Sequence, residues 1–120
     1  GVHMYLLPKT FTGSFLIGRR VEVLSFCRYH FDIYFTDKCW IHIESRCRLY
    51  QHGELIEDIA AFPLMETQLL RLLEKIVSDV ECVDQSDLII RMDDIVLEIQ
   101  GNIGPYEAYR ISDGEQEFLV

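Results

Sequence analysis

The sequence predicts an α+β fold in which two antiparallel β-meanders are joined by one amphipathic helix. Three observations support this: alternating apolar runs in both halves, a central segment with leucines every three or four residues, and a similar order of runs on either side of it. With 120 residues, 49% of them apolar, the chain can bury one core. We expect a single domain over 5–120: a first meander (5–62), a helix (63–78) and a second meander (79–120).

The ends of the chain and its hydropathy bear on location. Residues 1–4, Gly-Val-His-Met, look like a tag remnant before a natural start at Met4. No run approaches the roughly 18 apolar residues of a membrane helix, and no secretion signal is visible. We therefore expect a cytoplasmic protein without a membrane segment, and reduced thiols at its four widely spaced cysteines.

The first half contains three clear strand patterns, at 21–26, 31–36 and 40–45, followed by a fourth at 46–50 and a return through Leu55 and Ile56. A three-residue loop at 37–39 would place Phe35 opposite Ile41 and Ile33 opposite Ile43. One face of this hairpin is apolar. The other carries Asp32, Tyr34, Trp40, His42 and Glu44.

The helix is predicted from the segment after Pro63. Its apolar residues recur at helical spacing, with charged residues on the opposite side, which is typical of an amphipathic helix of about three turns. The apolar positions are Leu69, Leu72, Leu73, Ile76 and Val77, and the charged ones are Arg71, Glu74 and Lys75.

The second half contains strand patterns at 80–84, 87–92, 95–100, 106–112 and 117–120. A two-residue turn at 93–94 would pair Met92 with Ile95, Ile90 with Leu97, and Leu88 with Ile99. The two halves also align with each other. The alignment matches Val21 with Val80, Ile33 with Leu88 and Ile41 with Leu97, which suggests an internal duplication.

A catalytic or metal centre is not predicted. His42 and Glu44 share a strand face and could form a base or a ligand pair, but no nucleophile or second ligand is tied to them by spacing. The cysteines lack a Cys-x-x-Cys pair, and His30 and His52 read as turn residues. The acidic residues do not have calcium-loop spacing. We expect no enzyme activity, no metal and no cofactor.

The charge distribution predicts a binding surface in the second half. Residues 1–50 hold 7 basic and 4 acidic side chains, whereas 51–120 hold 4 basic and 16 acidic ones. This balance disfavours nucleic acid and favours a basic protein partner. Carboxylates interleaved with tyrosines would steer and anchor that partner. The predicted residues are Asp84, Asp87, Asp93, Asp94, Glu98, Tyr106, Glu107 and Tyr109.

A resemblance points in the same direction. The run 104–111, Gly-Pro-Tyr-Glu-Ala-Tyr-Arg-Ile, follows the hairpin ending at 96–99 and resembles the Tyr-Glu-Ala/Ser-aromatic ending of a small uncharacterised bacterial family. Members of that family are similar in size and composition to toxin-immunity proteins. The chain departs from it in lacking a glycine-rich tail. The resemblance implies a binding role and supplies no catalytic residues.

The leading hypothesis is a non-catalytic, acidic immunity protein that neutralises a basic toxin domain. The alternative is a homodimeric structural or regulatory module. Its interface would use an edge strand or the face formed by Tyr34, Trp40, His42 and Glu44.

Overall fold

Ten antiparallel strands and three short 3-10 segments make up the described part of this computed structural model, which comprises residues 6–101, 104 and 106–120. The predicted tag remnant and residues 102, 103 and 105 of the predicted loop lie outside it. The strands are β1 (Val21–Phe26), β2 (Phe31–Phe35), β3 (Trp40–Ile43), β4 (Cys47–Gln51), β5 (Glu54–Ile59), β6 (Val77–Val83), β7 (Asp87–Met92), β8 (Ile95–Ile99), β9 (Tyr109–Ser112) and β10 (Glu117–Leu119).

The strands form two five-stranded sheets that exchange hairpins. The first sheet has the order β1-β2-β3-β9-β10, and the second has the order β5-β4-β8-β7-β6. We call β1–β5 the first copy and β6–β10 the second copy. Each sheet therefore contains the three-stranded meander of one copy and the hairpin that follows the meander of the other. The predicted meander boundaries, 5–62 and 79–120, do not correspond to the two sheets.

Backbone hydrogen bonds between the copies show that they are equivalent. The N–H of Val21 donates to the carbonyl of Lys75, and the N–H of Val77 donates to the carbonyl of Arg19, both at 2.9 Å. Residues 19 and 21 of the first copy correspond to residues 75 and 77 of the second, a difference of 56. The two bonds are therefore the same bond with the donor copy and the acceptor copy exchanged. The two copies thus enter their first strands through the same pair of contacts.

The exchanged hairpins are attached in the same way in both copies. The N–H of Glu44 donates to the carbonyl of Ala108 at 2.9 Å, and that of Gln100 donates to the carbonyl of Arg46 at 3.0 Å. Both bonds run from the residues just after a meander to the start of the hairpin from the other copy. The two halves of the chain therefore repeat one backbone arrangement.

The alignment of the copies differs from the predicted one in the first two strands. Val21 is equivalent to Val77, because each begins the β-bulge of its first strand, whereas the sequence pattern matched Val21 with Val80. In the third strand the predicted match of Ile41 with Leu97 is confirmed by their equivalent registers. Alternating strands can be slid along each other without losing the pattern, so composition alone did not fix the offset.

The predicted α+β class is wrong, because the described residues contain no α-helix. In place of the helix over 63–78, the chain forms the 3-10 segment Gln68–Leu72, turns at Glu74 with a φ of 71° and enters β6 at Val77. The side chain of Thr67 caps the segment by accepting from the N–H of Leu69 at 3.0 Å. The rest of the predicted helix is turn and strand.

Competition for the backbone explains this difference. An α-helix would need the N–H groups of residues 74 and 77 to bond four residues back. Instead the N–H of Glu74 donates to the carbonyl of Val21, and that of Val77 to the carbonyl of Arg19. Leu72 is fully buried, but Leu73 is 40% exposed, so the apolar spacing does not form one buried stripe. Bonding to the first copy has overridden local helical preference.

The hairpin registers test the turn predictions. Met92–Ile95, Ile90–Leu97 and Leu88–Ile99 pair as predicted for a two-residue turn. In the first copy, Ile33 pairs with Ile41 rather than Ile43, because the connection after β2 is longer. Its residues Asp37 and Lys38 both have positive φ, 59° and 67°. The register error of two residues leaves every side chain on its predicted face.

One cluster of buried residues joins the inward faces of the two sheets. Each sheet buries alternate positions of its strands. The first sheet contributes aromatic residues and isoleucines, and the second contributes mainly leucines and isoleucines. From the first sheet come Phe31, Ile33, Phe35, Ile41, Ile43, Tyr109 and Ile111; from the second come Leu49, Leu88, Ile90, Met92, Leu97 and Ile99.

Candidate functional site

Three of the predicted acidic residues lie together at one end of the second sheet. Asp87 and Glu98 line one depression, and Asp84 and Asp87 line an adjoining one; Gln100 borders both. We call this pair of depressions the acidic depression. Its position follows from topology, because the start of β7 lies beside the end of β8 in an antiparallel pair.

Each carboxylate is held by a different local feature. Asp84 is exposed in the tight turn between β6 and β7, with a φ of 53°. Asp87 Oδ1 accepts the N–H of Gly101 at 2.8 Å, and Glu98 Oε1 is 3.6 Å from Arg48 Nη1 across the sheet. A side chain at Gly101 would overlap the carbonyl of Ser86, so only glycine allows this approach. The turn and the glycine together fix the depression.

Asp93 and Asp94 lie at the opposite end of β7, about 20 Å away by strand geometry. Asp93 is exposed in the turn to β8. Asp94 accepts hydrogen bonds from Gln51 Nε2 at 3.0 Å and Lys75 Nζ at 3.2 Å, and these bonds lower its pKa. The side chain of Asp94 therefore ties together three segments of the chain and does not belong to the acidic depression.

The Tyr-Glu-Ala-Tyr run separates into structural and exposed residues. Tyr109 is fully buried, its hydroxyl donates to the carbonyl of Ser86 at 2.6 Å, and burial raises its pKa. It cannot be the exposed aromatic anchor that the sequence predicts. Tyr106 is 76% exposed, and Glu107 Oε1 lies 2.8 Å from Arg110 Nε. Only Tyr106 retains the surface position needed for contact with a partner.

The alternative surface is brought together as predicted on the outer face of the first sheet. Tyr34 pairs with Trp40 across β2 and β3, and both line an open depression with His42 and Arg110. Glu44 Oε1 lies 3.6 Å from His42 Nε2. The face is therefore mixed, with aromatic rings next to ionisable side chains.

His42 belongs to a network that the sequence did not reveal. Its Nδ1 lies 2.7 Å from Asp32 Oδ1, and the second oxygen of Asp32 lies 3.2 Å from His30 Nε2. The two imidazole ring centres are 4.3 Å apart. Cys27 completes the group: one ligand atom from each of Cys27, His30 and Asp32 falls within 4.8 Å of the others. The missed signal is the spacing Cys27-x-x-His30-x-Asp32 on one hairpin.

The two ring nitrogens of His42 differ in their contacts. Nδ1 lies against Asp32, whereas Nε2 is buried and has no hydrogen-bond partner among the described residues. The thiols also differ. Burial raises the pKa of Cys47 to about 12 and raises those of Cys39 and Cys82, which makes these three poor nucleophiles. Cys27 is half-buried beside ionisable groups.

Neither helix length nor similarity to known proteins assigns a function to this chain. The longest helical segment in the described residues has five residues, so none there could cross a membrane. Comparison with protein-family models, curated proteins and solved structures found no match. The function must therefore be argued from the surfaces themselves.

Proposed function

We propose that this protein is a cytoplasmic, non-catalytic binding domain that neutralises a basic protein, as an immunity protein neutralises a toxin domain. The acidic depression carries the proposal. It concentrates Asp84, Asp87 and Glu98 at one end of the second sheet, in a chain of net charge -9.

The charge balance around the acidic depression favours a cationic partner. Arg46 and Arg48 also line it, but Arg46 is already paired with Asp58 at 2.7 Å, and Arg48 lies between Asp58 and Glu98. Asp84 is exposed and forms no ion pair within the described residues. Asp87 uses one oxygen for the Gly101 N–H, which leaves the other to accept. A lysine or arginine of a partner would find unsatisfied carboxylate oxygens here.

Long-range attraction would add speed to this contact. Complementary charge raises association rates by factors of about 10 to 1,000 at low salt, and rapid capture is what neutralisation of a toxin requires. Tyr106, exposed in the same half of the chain, offers an aromatic contact that costs little conformational entropy.

The test compares two aspartates that differ only in location. Asp84 and Asp93 have φ values of 53° and 52°, both are exposed, and each sits in a tight turn next to β7. We expect Asp84→Lys to slow association with the protein encoded immediately upstream of this gene by about tenfold, measured by surface plasmon resonance at low salt. Asp93→Lys makes the same charge change and should alter the rate less than about twofold.

Two results would contradict the proposal. Failure of the unmodified chain to bind that protein is one, and equal effects of the two substitutions is the other, because equal effects would reflect net charge alone.

Light scattering of the free chain over a range of concentrations tests the alternative, a homodimeric module. A stable dimer would favour the homodimeric module, with the face of Tyr34, Trp40, His42 and Glu44 as its interface.

A further inference from the structure

We propose that Cys27, His30 and Asp32 form a zinc-binding site at the β1–β2 turn, with His42 as the residue that orients Asp32. The inference is independent of the acidic depression, which lies on the other sheet. It rests on one cysteine sulfur, one imidazole nitrogen and one carboxylate oxygen that converge within 4.8 Å of one another.

The distances suit tetrahedral coordination. Zinc binds histidine nitrogen and carboxylate oxygen at about 2.0–2.2 Å, so two such ligands on one tetrahedron lie about 3.3–3.5 Å apart. The observed distance from His30 Nε2 to Asp32 Oδ2 is 3.2 Å. The Cys27 sulfur lies within 4.8 Å of the ligand atoms of His30 and Asp32, and a zinc–sulfur bond is longer, about 2.3 Å.

The hairpin holds the three ligands in register. Cys27 and His30 flank the β1–β2 turn, where the N–H of Cys27 donates to the carbonyl of His30 at 3.0 Å. Phe26 and Phe31, the last residue of β1 and the first of β2, stack at 5.1 Å between ring centres and close the end of the hairpin. Ligands that come from one short, bonded turn lose little entropy when a metal binds.

The surroundings of Asp32 resemble the outer shell of a metal site. Metal-bound carboxylates are usually hydrogen-bonded through their second oxygen, which fixes their orientation. Here Asp32 Oδ1 is 2.7 Å from His42 Nδ1, so Oδ2 remains directed at His30. Asp32 is 9% exposed, a position where a carboxylate needs such partners. His42 is therefore a positioning residue in this proposal.

The ligand types select the metal. Thiolate and imidazole favour zinc or another borderline first-row ion, whereas calcium and magnesium prefer oxygen ligands throughout. Three protein ligands leave one tetrahedral position, which a water molecule or a donor from a partner would fill. Without a metal, the same His30–Asp32–His42 contacts would be an ordinary ion-pair network, and the experiment must separate these two cases.

Cobalt is the probe that separates them, because Co²⁺ takes zinc sites and a cobalt–thiolate bond gives a charge-transfer absorption that histidine alone cannot give. We expect the metal-free chain to bind one equivalent of Co²⁺ with this absorption, and Zn²⁺ to abolish it. Cys27→Ser should remove the absorption and weaken Zn²⁺ binding by about 100-fold. Cys82→Ser, at another half-buried cysteine, is the matched control and should change neither.

A histidine pair gives a second, independent readout. His30→Gln should weaken Zn²⁺ binding by about tenfold or more, and His52→Gln, beside Asp94 at the far end of the second sheet, should have no effect. The His30 side chain is 29% exposed, so this variant remains informative if Cys27→Ser fails to fold. Absence of the charge-transfer absorption in the unmodified chain, or equal losses in each variant and its control, would overturn the proposal.

Discussion

The two sheets carry different outer faces at equivalent positions. In the first sheet, one row across the outer face reads Asp32, His42 and Arg110. The equivalent row of the second sheet reads Ile89, Glu98 and Arg48. The arginine is kept in both rows, while the carboxylate–histidine pair of one is an apolar residue and a glutamate in the other.

The inward faces and backbone bonds differ far less than the outer faces. Leu16 and Leu72 are both fully buried, and each accepts at its carbonyl from the residue three positions on, Arg19 and Lys75. Only the inward residues and the crossing bonds are needed to specify the fold, so the outer faces are free to diverge. We therefore look for function where equivalent positions carry different side chains. These places are the histidine network of the first sheet and the acidic depression of the second.

The largest expected effect tests whether the cores of the copies are equivalent. Replacement of Leu16 or Leu72 by alanine should each lower the free energy of unfolding by about 2–5 kcal/mol, because both changes leave a cavity in the shared core. Leu73→Ala should cost less than about 1 kcal/mol, since that side chain is 40% exposed. Urea denaturation at constant pH measures all three.

Leu73 is the informative control. In the predicted helix it belongs to the buried stripe beside Leu72, so an α-helix would make the two substitutions about equally costly. Similar losses at 72 and 73 would contradict the 3-10 arrangement, and a loss below about 1 kcal/mol at either 16 or 72 would contradict the equivalent burial of the two leucines.

A smaller effect is expected where the copies differ inside the core. Tyr109 pairs with Ile43 at the position where the second sheet has Cys47 paired with Ile99. Tyr109→Phe keeps the ring but removes the 2.6 Å bond to the carbonyl of Ser86 and leaves that carbonyl without its donor. We expect a loss of about 1–2 kcal/mol, measured by thermal or urea unfolding.

Tyr106→Phe is the matched control, because its ring is 76% exposed and the same atom is removed. We expect no measurable change in stability. If both substitutions had the same small effect, the bond between Tyr109 and the β6–β7 turn would contribute nothing to joining the sheets.

Sequence reasoning succeeded where the deciding interactions are local. The strands of both halves follow from alternation, and the β7–β8 register follows from the two-residue turn at 93–94. It failed for the helix, because the backbone partners of Glu74 and Val77 lie 53 and 58 residues earlier in the chain. It also could not show which meander each hairpin joins, since β4 and β9 are both short alternating strands.

The candidate sites show the same division. The acidic composition indicated that the binding surface lies in the second half, but not which carboxylates lie together. Asp84 and Asp93 are at opposite ends of β7 and are therefore far apart. Tyr109 reads as an exposed aromatic in sequence, yet its alternation with Ile111 places it in the core. The proposed site at Cys27 corresponds to the spacing Cys-x-x-His-x-Asp in the sequence, but only the β1–β2 turn shows that the three side chains meet.

The smallest expected effect concerns a turn that the copies stabilise differently. Asp94 occupies the position equivalent to Lys38, and its hydrogen bonds from Gln51 and Lys75 hold its pKa below the usual 3.8. A carboxylate with a lowered pKa in the folded state stabilises it above the unfolded pKa, and this contribution is lost as pH falls through the folded value. Asp94→Asn should therefore destabilise the protein near neutral pH and progressively less towards about pH 3.

The measurement is the urea midpoint of the unmodified chain and of the variant from about pH 6 to pH 3. Asp93→Asn, one residue earlier in the same exposed turn, controls for general loss of negative charge. Its difference from the unmodified chain should stay small across the range, because Asp93 forms no ion pair within the described residues. If the effect of Asp94→Asn does not change with pH, the substitution acts through altered packing and not through loss of the carboxylate charge. The Lys75–Asp94 contact would then not be what stabilises this end of the second copy.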